Sequence, residues 1–269
     1  MNRIHEIEPS ARAPRAVRGS NTIERGLDTQ HLTEPERAVF CARQGYELWA
    51  PRYDLNPNPL VALEERTLAA VLVPLTGKNA LDVATGTGRW LETFVEAGAR
   101  RAIGIDLSFA MLEVAAAKLT LRGRLACADG LALPLPSTFA DFLIVSFAVR
   151  HFAELSLFAR ELARVAAVGA DCYLTDLHPT AYARGWRTGF RHPGGRGEIL
   201  TYSHSRVDIC DAFSAQGFDL IRAFEPCIGE PEKPVFARAR KLDRFADVAG
   251  IPAILICHFR RLHHRTKAL

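Results

Sequence analysis

The chain has 269 residues, of which 48% are hydrophobic and 24% are charged, and its net charge is +4 at neutral pH. This composition is typical of a folded globular protein and excludes a globally disordered chain. A small positive charge without a clustered basic face does not indicate nucleic acid as a partner. No run of 18 or more apolar residues is present, so we expect no membrane-spanning helix and no membrane partner.

The cysteines and histidines give no metal signal. None of the six cysteines forms a Cys-x-x-Cys pair, and the adjacent His263 and His264 would point apart on a strand, so we predict no metal site. Scattered thiols are typical of a reducing compartment, and the N-terminus lacks an apolar signal core. We therefore predict a cytoplasmic protein, with residues 1–30 as a flexible tail rich in Arg, Pro, Ser and Glu.

Two helices are predicted between residues 31 and 75. The segment Thr-Glu-Pro-Glu that begins at Thr33 has the form of a capping box, which predicts a helix to about Trp49. Asn58 followed by Pro59 supplies an N-cap with proline at the first helical position, which predicts a second helix. We expect this N-terminal extension to form a lid over the cofactor and substrate.

Beyond residue 76 the pattern changes to short apolar strands that alternate with helices. This spacing is typical of βαβ units, which form a parallel sheet with right-handed crossovers. The helix before the fifth strand is predicted over residues 154–168. The five strands are predicted at residues 80–84, 101–106, 125–128, 142–147 and 171–177.

The C-terminal part departs from this alternation. Residues 218–224 and 251–262 are predicted as strands with no convincing helix between them, so they must pair antiparallel. Residues 179–205 are polar and glycine-rich, which predicts a long functional loop inserted in a domain that spans residues 76–269. The predicted fold is α/β and doubly wound, with a mostly parallel seven-stranded, Rossmann-like sheet. It has one antiparallel strand near the C-terminus and a helical N-terminal extension.

Glycines follow the first predicted strand, between Asp82 and the next helix. Gly86 and Gly88 let a ligand approach the backbone closely, and the helix N-terminus favours a negatively charged group. Taken alone, a Gly-x-Gly also fits a tight turn. Leu91 stands where the dinucleotide fingerprint needs a third glycine, and no Gly-Lys-Ser/Thr is present, so nicotinamide and flavin dinucleotides and a Walker loop are disfavoured.

Carboxylates follow the next two predicted strands. Asp106 comes about 20 residues after the glycines, where a carboxylate can accept hydrogen bonds from both ribose hydroxyls. Asp129, followed by Gly130, can accept from the exocyclic amine of an adenine. A helix cap and a solvent-exposed turn are the structural alternatives for these two aspartates. Because the carboxyl ends of parallel strands share one edge of a sheet, we expect both to face one adenosine-containing ligand.

Leu81 to Arg89 resembles the nucleotide loop of class I S-adenosylmethionine-dependent methyltransferases, in particular the type 11 group of ubiquinone and menaquinone biosynthesis. The resemblance continues through residues 104–112, 128–136 and 142–152, and covers roughly residues 78–178. Ala84 departs from the glycine that many members of the family have. The resemblance implies an enzyme with a methyltransferase fold, and S-adenosyl-L-methionine as its cofactor.

The resemblance also implies roles for individual residues. Acceptor contacts are implied for Tyr53, His151 and His204. His151 is the implied general base, because its ordinary pKa of about 6.5 suits proton transfer at neutral pH. Packing beneath the cofactor is the alternative for His151, and Arg150 suits either an anionic acceptor or solvent. Residues implied to bind the cofactor are Asp82, Ala84, Thr85, Gly86, Gly88, Asp106, Leu107, Met111, Asp129, Gly130, Ser146 and Tyr53.

We therefore predict methyl transfer to oxygen, nitrogen or carbon of a small-molecule acceptor. One alternative is an RNA methyltransferase, although Ser146-Phe-Ala-Val stands where base-amine methyltransferases carry Asn/Asp-Pro-Pro-aromatic. The other is a catalytically inactive accessory protein that binds S-adenosylmethionine, because a fold by itself does not define a function. The sequence determines neither the acceptor, nor the methylated atom, nor the oligomeric state.

Overall fold

The computed structural model describes residues 38–262. The predicted tail over residues 1–30, the predicted capping box at Thr33, and His263 and His264 lie outside the described residues. Between residues 38 and 262, no helix has the length and apolar character that a membrane crossing requires.

The described residues form strands and helices in the following order. They are β1 Ala38–Phe40, α1 Ala42–Trp49, α2 Pro59–Ala69, β2 Asn79–Val83, α3 Arg89–Glu96, β3 Arg101–Asp106, α4 Phe109–Ala116, β4 Leu125–Cys127, β5 Ala140–Ser146, α5 Leu155–Val165, β6 Ala166–Leu177, α6 Pro179–Ala183, β7 Gly189–His192, β8 Gly195–Ile199, α7 Arg206–Ser214, β9 Phe218–Phe224, α8 Lys233–Arg238, α9 Phe245–Val248 and β10 Ile254–Arg261. A 3₁₀ turn, Ala50–Arg52, continues α1.

The main sheet has seven strands in the order β4-β3-β2-β5-β6-β10-β9. The pairs from β4 to β6 are parallel, and β10 is antiparallel to both of its neighbours. Helices cover both faces. Leu143 and Val145 of β5 pack on the side of α5 and α7, and Phe142 and Ile144 pack on the side of α2 and α3. The predicted fold class, including the single antiparallel strand, is confirmed.

A buried carboxylate attaches the antiparallel strand to β6. Asp171 accepts hydrogen bonds from Lys78 Nζ at 3.2 Å, His258 Nε2 at 2.9 Å and Arg260 Nη2 at 2.7 Å. Burial alone would raise the pKa of Asp171, but these hydrogen bonds hold the pKa well below its usual range. Because two of the three donors belong to β10, the carboxylate stabilises the pairing of β10 with β6.

Several predicted boundaries are wrong. The predicted helix over 154–168 ends at Val165, and β6 begins at Ala166 because that residue pairs with Ala140 of the neighbouring strand. The connection between β9 and β10, predicted to lack a helix, contains the two short helices α8 and α9. Their apolar residues pack onto the helical layer, and the antiparallel pairing is unchanged.

The N-terminal segment and residues 179–205 also differ from expectation. Residues 179–205 are not an irregular loop: they contain α6 and the antiparallel hairpin β7–β8. Residues 38–40, predicted as helix, form the strand β1, which pairs parallel to β8 with Ala38 opposite Gly197. A backbone partner about 160 residues away overrides the local helical signal. The predicted second helix is present as α2, with Asn58 Oδ1 accepting from Leu60 N at 3.0 Å.

Candidate active site

The glycine loop turns sharply between β2 and α3. Ala84, Gly86 and Gly88 all have left-handed φ values, of 58°, 58° and 82°. At Gly88 a Cβ would lie 2.3 Å from Leu121 Cδ1, so only glycine fits there. The left-handed φ of Ala84 explains why glycine is common at this position in the family that the loop resembles. The turn leaves the backbone of the loop accessible from the carboxyl edge of the sheet.

Asp82 lies buried directly beneath this loop. Its Oδ2 accepts from Thr85 Oγ1 at 2.6 Å, whereas its Oδ1 is buried with no hydrogen-bond partner among the described residues. Burial raises the pKa of Asp82 to about 7, although the hydrogen bond from Thr85 opposes this change. Buried acceptors without partners are costly in folded proteins. The unpaired oxygen is therefore suited to a donor that a ligand brings, such as an ammonium group.

Asp106 ties the glycine loop to the end of β3. Its Oδ2 accepts from Gly86 N at 2.8 Å, and its Oδ1 accepts from Ser108 N at 2.8 Å. Burial raises the pKa of this carboxyl, while the backbone hydrogen bonds from Ser108 and Gly86 lower it. An ionised carboxylate offers about four acceptor positions. Because the backbone of Leu107 also donates to it, Asp106 keeps capacity for one further donor, such as a ribose hydroxyl.

The third predicted position, Asp129 and Gly130, lies after β4. Asp129 Oδ1 accepts from Leu131 N at 2.9 Å, which fixes the turn. At Gly130 a Cβ would lie 2.8 Å from Phe152 Cζ, so the ring packs directly on the glycine backbone. The exposed Leu107 lies on the wall of the same cavity, next to Asp106.

A cavity of about 350 Å³ lies at the carboxyl edge of the sheet. Ligand pockets commonly enclose about 300–1,000 Å³, so its size fits a nucleoside-sized molecule. Of the predicted site residues, the following line it: Tyr53, Ala84, Gly86, Asp106, Leu107, Met111, Asp129, Gly130, Ser146 and His151.

Four predicted site residues do not line this cavity. Asp82 lies beneath the glycine loop, and Thr85 and Gly88 are part of the loop itself. His204 lies instead at a separate cavity of about 20 Å³, with its Nε2 2.9 Å from the carbonyl oxygen of Phe152. The structure therefore does not bring His204 to the predicted acceptor site.

The N-terminal segment forms one wall of the main cavity, and two side chains that the sequence did not single out attach it to the elements around the cavity. Glu47 of α1 accepts from Phe109 N at 2.9 Å, at the N-terminus of α4. Asp54 accepts from Thr87 Oγ1 of the glycine loop at 2.9 Å. These hydrogen bonds join residues 62 and 33 positions apart, so no local pattern could have indicated them.

His151 is placed on the cavity wall by the turn after β5. Its Nε2 lies 3.1 Å from Tyr46 Oη of α1. Burial lowers the pKa of His151 to about 4; Asp176 and a hydrogen bond to the Leu200 backbone oppose this change, and Arg150 adds to it. The imidazole is consequently neutral at pH 7, and one ring nitrogen is available to accept a proton.

Arg150 faces neither an anionic acceptor nor solvent, the two alternatives that the sequence left open for it. The side chain is buried and forms an ion pair with Asp176, whose Oδ2 also accepts from the backbone N of Arg150 at 2.6 Å. The guanidinium lies 5.8 Å from the centre of the Phe147 ring. It therefore faces Asp176 rather than solvent or the cavity.

A fully buried carboxylate lies under the floor of the cavity. Glu64 of α2 accepts hydrogen bonds from Arg89 Nη2 at 2.5 Å, Ser146 Oγ at 2.8 Å, Trp90 Nε1 at 3.3 Å and Thr175 Oγ1. The hydroxyl of Ser146 is therefore occupied, which leaves its backbone to face a ligand. No sequence pattern indicated Glu64, because it lies on a helix next to the ordinary polar residues Glu65 and Arg66.

Within residues 38–262, no group of three or more His, Cys, Asp or Glu side chains is placed to hold a metal ion.

Comparison with known proteins agrees with this geometry. Residues 81–174 match a family described as "Methyltransferase domain", and they include the glycine loop, Asp106, Asp129 and His151. The fold is that of S-adenosylmethionine-dependent methyltransferases: a crystal structure of one from Mesorhizobium loti superposes with a TM-score of 0.59 at 21% identity, covering 76% of this chain and 100% of that one. The chain therefore contains a methyltransferase domain of this fold.

Among proteins of assigned activity, a demethylmenaquinone methyltransferase from Thermus thermophilus is 34% identical over 139 residues. The matched region spans 48% of this chain and 63% of the relative, so it covers less than two thirds of that protein. The structure of the [4+2]-cyclase SpnF superposes with a TM-score of 0.62 at 18% identity, covering 84% of this chain and 98% of that one.

Proposed function

We propose that the protein transfers a methyl group from S-adenosylmethionine to a small-molecule acceptor. The observation that carries the proposal is a pair of carboxylates at adjacent strand ends: Asp106 lines the cavity and keeps acceptor capacity, and Asp82 lies beneath the glycine loop with its buried Oδ1 unpaired. Together they suit a ligand with an ammonium group at one end and a ribose at the other. The cavity has the right size for such a ligand.

Each part of the ligand has a corresponding residue. Asp106 accepts a ribose hydroxyl, and Leu107 and Met111 pack on the adenine. Asp129 and Gly130 contact the adenine edge. At the methionine end, Ala84, Gly86 and Ser146 present backbone groups on the cavity wall, and Asp82 acts on the ammonium from beneath the loop through a bridging water.

When bound, S-adenosylmethionine supplies a methyl group on a sulfonium, so the protein chiefly has to orient the acceptor in line with it. The wall beyond the strand ends is mainly apolar and includes Phe147, Phe152 and Leu157. Such a wall suits an apolar, ring-bearing acceptor. The same acceptor class is supported by the Thermus relative, which is named as a demethylmenaquinone methyltransferase. The segment from α1 to α2 serves as the lid over cofactor and acceptor.

His151 is the base in this proposal because its neutral ring lies on the cavity wall; its pKa of about 4 makes it a weaker base than the ordinary value near 6.5 that the sequence implied. We expect His151→Ala to slow transfer by about 10²–10⁴-fold, the usual contribution of acid–base catalysis. The affinity for the cofactor should change less than about twofold. Equal turnover by the variant and the wild type would reduce His151 to a packing role.

The primary test measures binding and transfer separately. Calorimetry with S-adenosylhomocysteine should give one site per chain, and Asp106→Ala should weaken it. Transfer is then followed as formation of S-adenosylhomocysteine with hydroxylated naphthalenes, and with total RNA as the second substrate class.

The two alternatives give different results. Methylation of RNA but not of naphthalenes would favour an RNA methyltransferase, and its binding would weaken steeply with salt. Cofactor binding without transfer to either class would favour an accessory protein; the name of the cyclase SpnF indicates another activity on this fold. Absence of S-adenosylhomocysteine binding would refute the proposal as a whole.

A further inference from the structure

Tyr46 is a polar residue of α1 on the wall of the cavity next to His151. The Oη of Tyr46 lies 3.1 Å from His151 Nε2, and the two rings meet edge to face with centroids 5.4 Å apart. Both side chains line the main cavity. Tyr46 lies outside the matched segment 81–174, so nothing in the family match assigns it a role.

The hydrogen-bonding capacity of the pair restricts what can bind beside it. A phenol has one proton to donate, and a neutral imidazole has one accepting nitrogen. If Tyr46 donates to His151 Nε2, the ring proton of His151 is on Nδ1. The Oη of Tyr46 then has no proton left for the cavity and can only accept. A molecule that binds there must bring an O–H or N–H group.

The protonation states of both groups favour this direction of donation. Burial and the nearby Arg150 lower the pKa of His151 to about 4, although Asp176 opposes this change. The ring is therefore neutral at pH 7, and Nε2 is free to accept. Burial, together with Tyr53, raises the pKa of Tyr46 well above its usual value, so its proton remains in place; Arg150 opposes this change.

The position of Tyr46 is held by aromatic contacts from two parts of the chain. Its ring stacks on Trp49 with an interplanar angle of 8° and a centroid distance of 5.9 Å. Trp49 in turn stacks on Phe190 of the hairpin β7–β8 at 5.6 Å. The neighbouring Glu47 fixes α1 to the N-terminus of α4. The hydroxyl is therefore rigidly presented, which favours recognition of a specific group.

We propose that Tyr46 binds the hydroxyl of the acceptor and relays its proton to His151. This inference rests on the proposed methyl transfer. As the acceptor's O–H proton moves to Tyr46 Oη, the tyrosine's own proton moves to His151 Nε2. The electron pair freed on the acceptor, at its oxygen or at a conjugated ring carbon, forms the bond to the methyl carbon. The electron pair of the broken carbon–sulfur bond stays on sulfur.

The test is a binding comparison that does not require the natural acceptor. The full chain, saturated with S-adenosylhomocysteine, is titrated with 4-fluorophenol and with 4-fluoroanisole, its methyl ether, and binding is followed by ¹⁹F NMR. We expect the phenol to bind about three- to tenfold more tightly than the ether, the usual value of one hydrogen bond. In Tyr46→Phe this preference should fall to about one.

The control is Tyr202→Phe, because Tyr202 is exposed and lies outside the main cavity; it should keep the preference for the phenol. If Tyr46→Phe folds poorly, His151→Leu is the second variant. Without the imidazole, the Tyr46 hydroxyl can donate its proton into the cavity. The affinity for the ether should therefore rise relative to the affinity for the phenol.

Equal affinity of the wild type for the two probes would overturn the relay, as would an unchanged preference in Tyr46→Phe. Calorimetry with S-adenosylhomocysteine separates this failure from that of the proposed function. If that ligand binds and the probes are not distinguished, only the relay is refuted; if it does not bind, the proposed methyl transfer is refuted first.

Discussion

The carboxyl edge of the sheet and the N-terminal cap, here α1, line the same cavity in different ways. At the edge, the hydrogen bond from Gly86 N to Asp106 joins residues 20 positions apart and involves backbone on one side. Tyr46 of the cap meets His151 of the edge, 105 positions away, through side chains alone. The edge lies within the matched methyltransferase segment and the cap does not.

This difference indicates how the two halves of the proposed reaction are divided. Backbone geometry and a few carboxylates suit a cofactor common to many proteins, and local motifs are sufficient to specify them. Long-range side-chain contacts suit the acceptor, which differs from one enzyme to the next. The four predictions below test whether the edge and the cap can be altered independently.

The largest expected effect concerns Glu64, the buried residue that connects α2 to the ends of β5 and β6. Glu64→Ala leaves Arg89, Ser146 and Thr175 without their acceptor, which should lower the free energy of unfolding by about 3 kcal/mol. Denaturant unfolding measures this change. The matched control is Glu65→Ala, an exposed partner of the same arginine, which should cost less than about 1 kcal/mol. Equal losses from the two variants would contradict the assignment.

The next effect concerns the edge alone. Asp106→Ala removes the acceptor proposed for the ribose and the support of Gly86, so the binding of S-adenosylhomocysteine should weaken by about 1–3 kcal/mol. Calorimetry measures this loss, with the exposed Asp219→Ala as control. At saturating S-adenosylhomocysteine, Asp106→Ala should still bind 4-fluorophenol more tightly than 4-fluoroanisole, because we assign that preference to Tyr46 of the cap. An unchanged affinity would remove Asp106 from the site.

A smaller effect follows from the raised pKa of Asp82, which is about 7 because the carboxyl is buried. A bound ammonium favours the ionised carboxylate, so binding at pH 6 should release up to one proton, and binding at pH 8 almost none. The affinity should therefore rise by up to about tenfold from pH 6 to pH 8. Calorimetry in buffers of different ionisation enthalpy counts the protons.

The same shift affects stability in the absence of ligand. The folded protein holds the Asp82 proton more tightly than the unfolded chain, whose carboxyl pKa is about 3.9. The contribution of Asp82 to stability should therefore decrease as the pH rises from about 4 to about 7. Asp82→Asn should abolish both the proton release and this decrease; proton release that persists in the variant would assign it to another group.

The smallest effect concerns the attachment of the cap. Glu47→Gln removes a charge from the N-terminus of α4, an interaction worth about 0.3–1 kcal/mol. Hydrogen exchange of the α1 amides should accelerate by about two- to fivefold, while exchange in the glycine loop stays unchanged. The control is Glu113→Gln, at an exposed position of α4. Equal acceleration in the loop would show that edge and cap open as one unit.

Several parts of this structure were predictable because their causes are local. The glycine loop, Asp106 and Asp129 follow from strand ends and turn chemistry within a few residues. The antiparallel pairing of β10 was predicted from the absence of a long crossover helix between β9 and β10. The prediction is correct although the two short helices α8 and α9 lie between these strands. The boundary between α5 and β6 was not predictable, because pairing with β5 extends the strand to Ala166.

The sequence by itself determined the order of the strands along the chain, the sharp turn at the glycines and the carboxylates at the strand ends. Each depends on residues that are close in the chain and on backbone conformations that few residue types adopt. Only the tertiary structure decided the pairing of β1 with β8, the contact of Tyr46 with His151 and the burial of Glu64. These depend on partners far apart in sequence, and the pKa values of buried groups depend on the solvent that folding excludes.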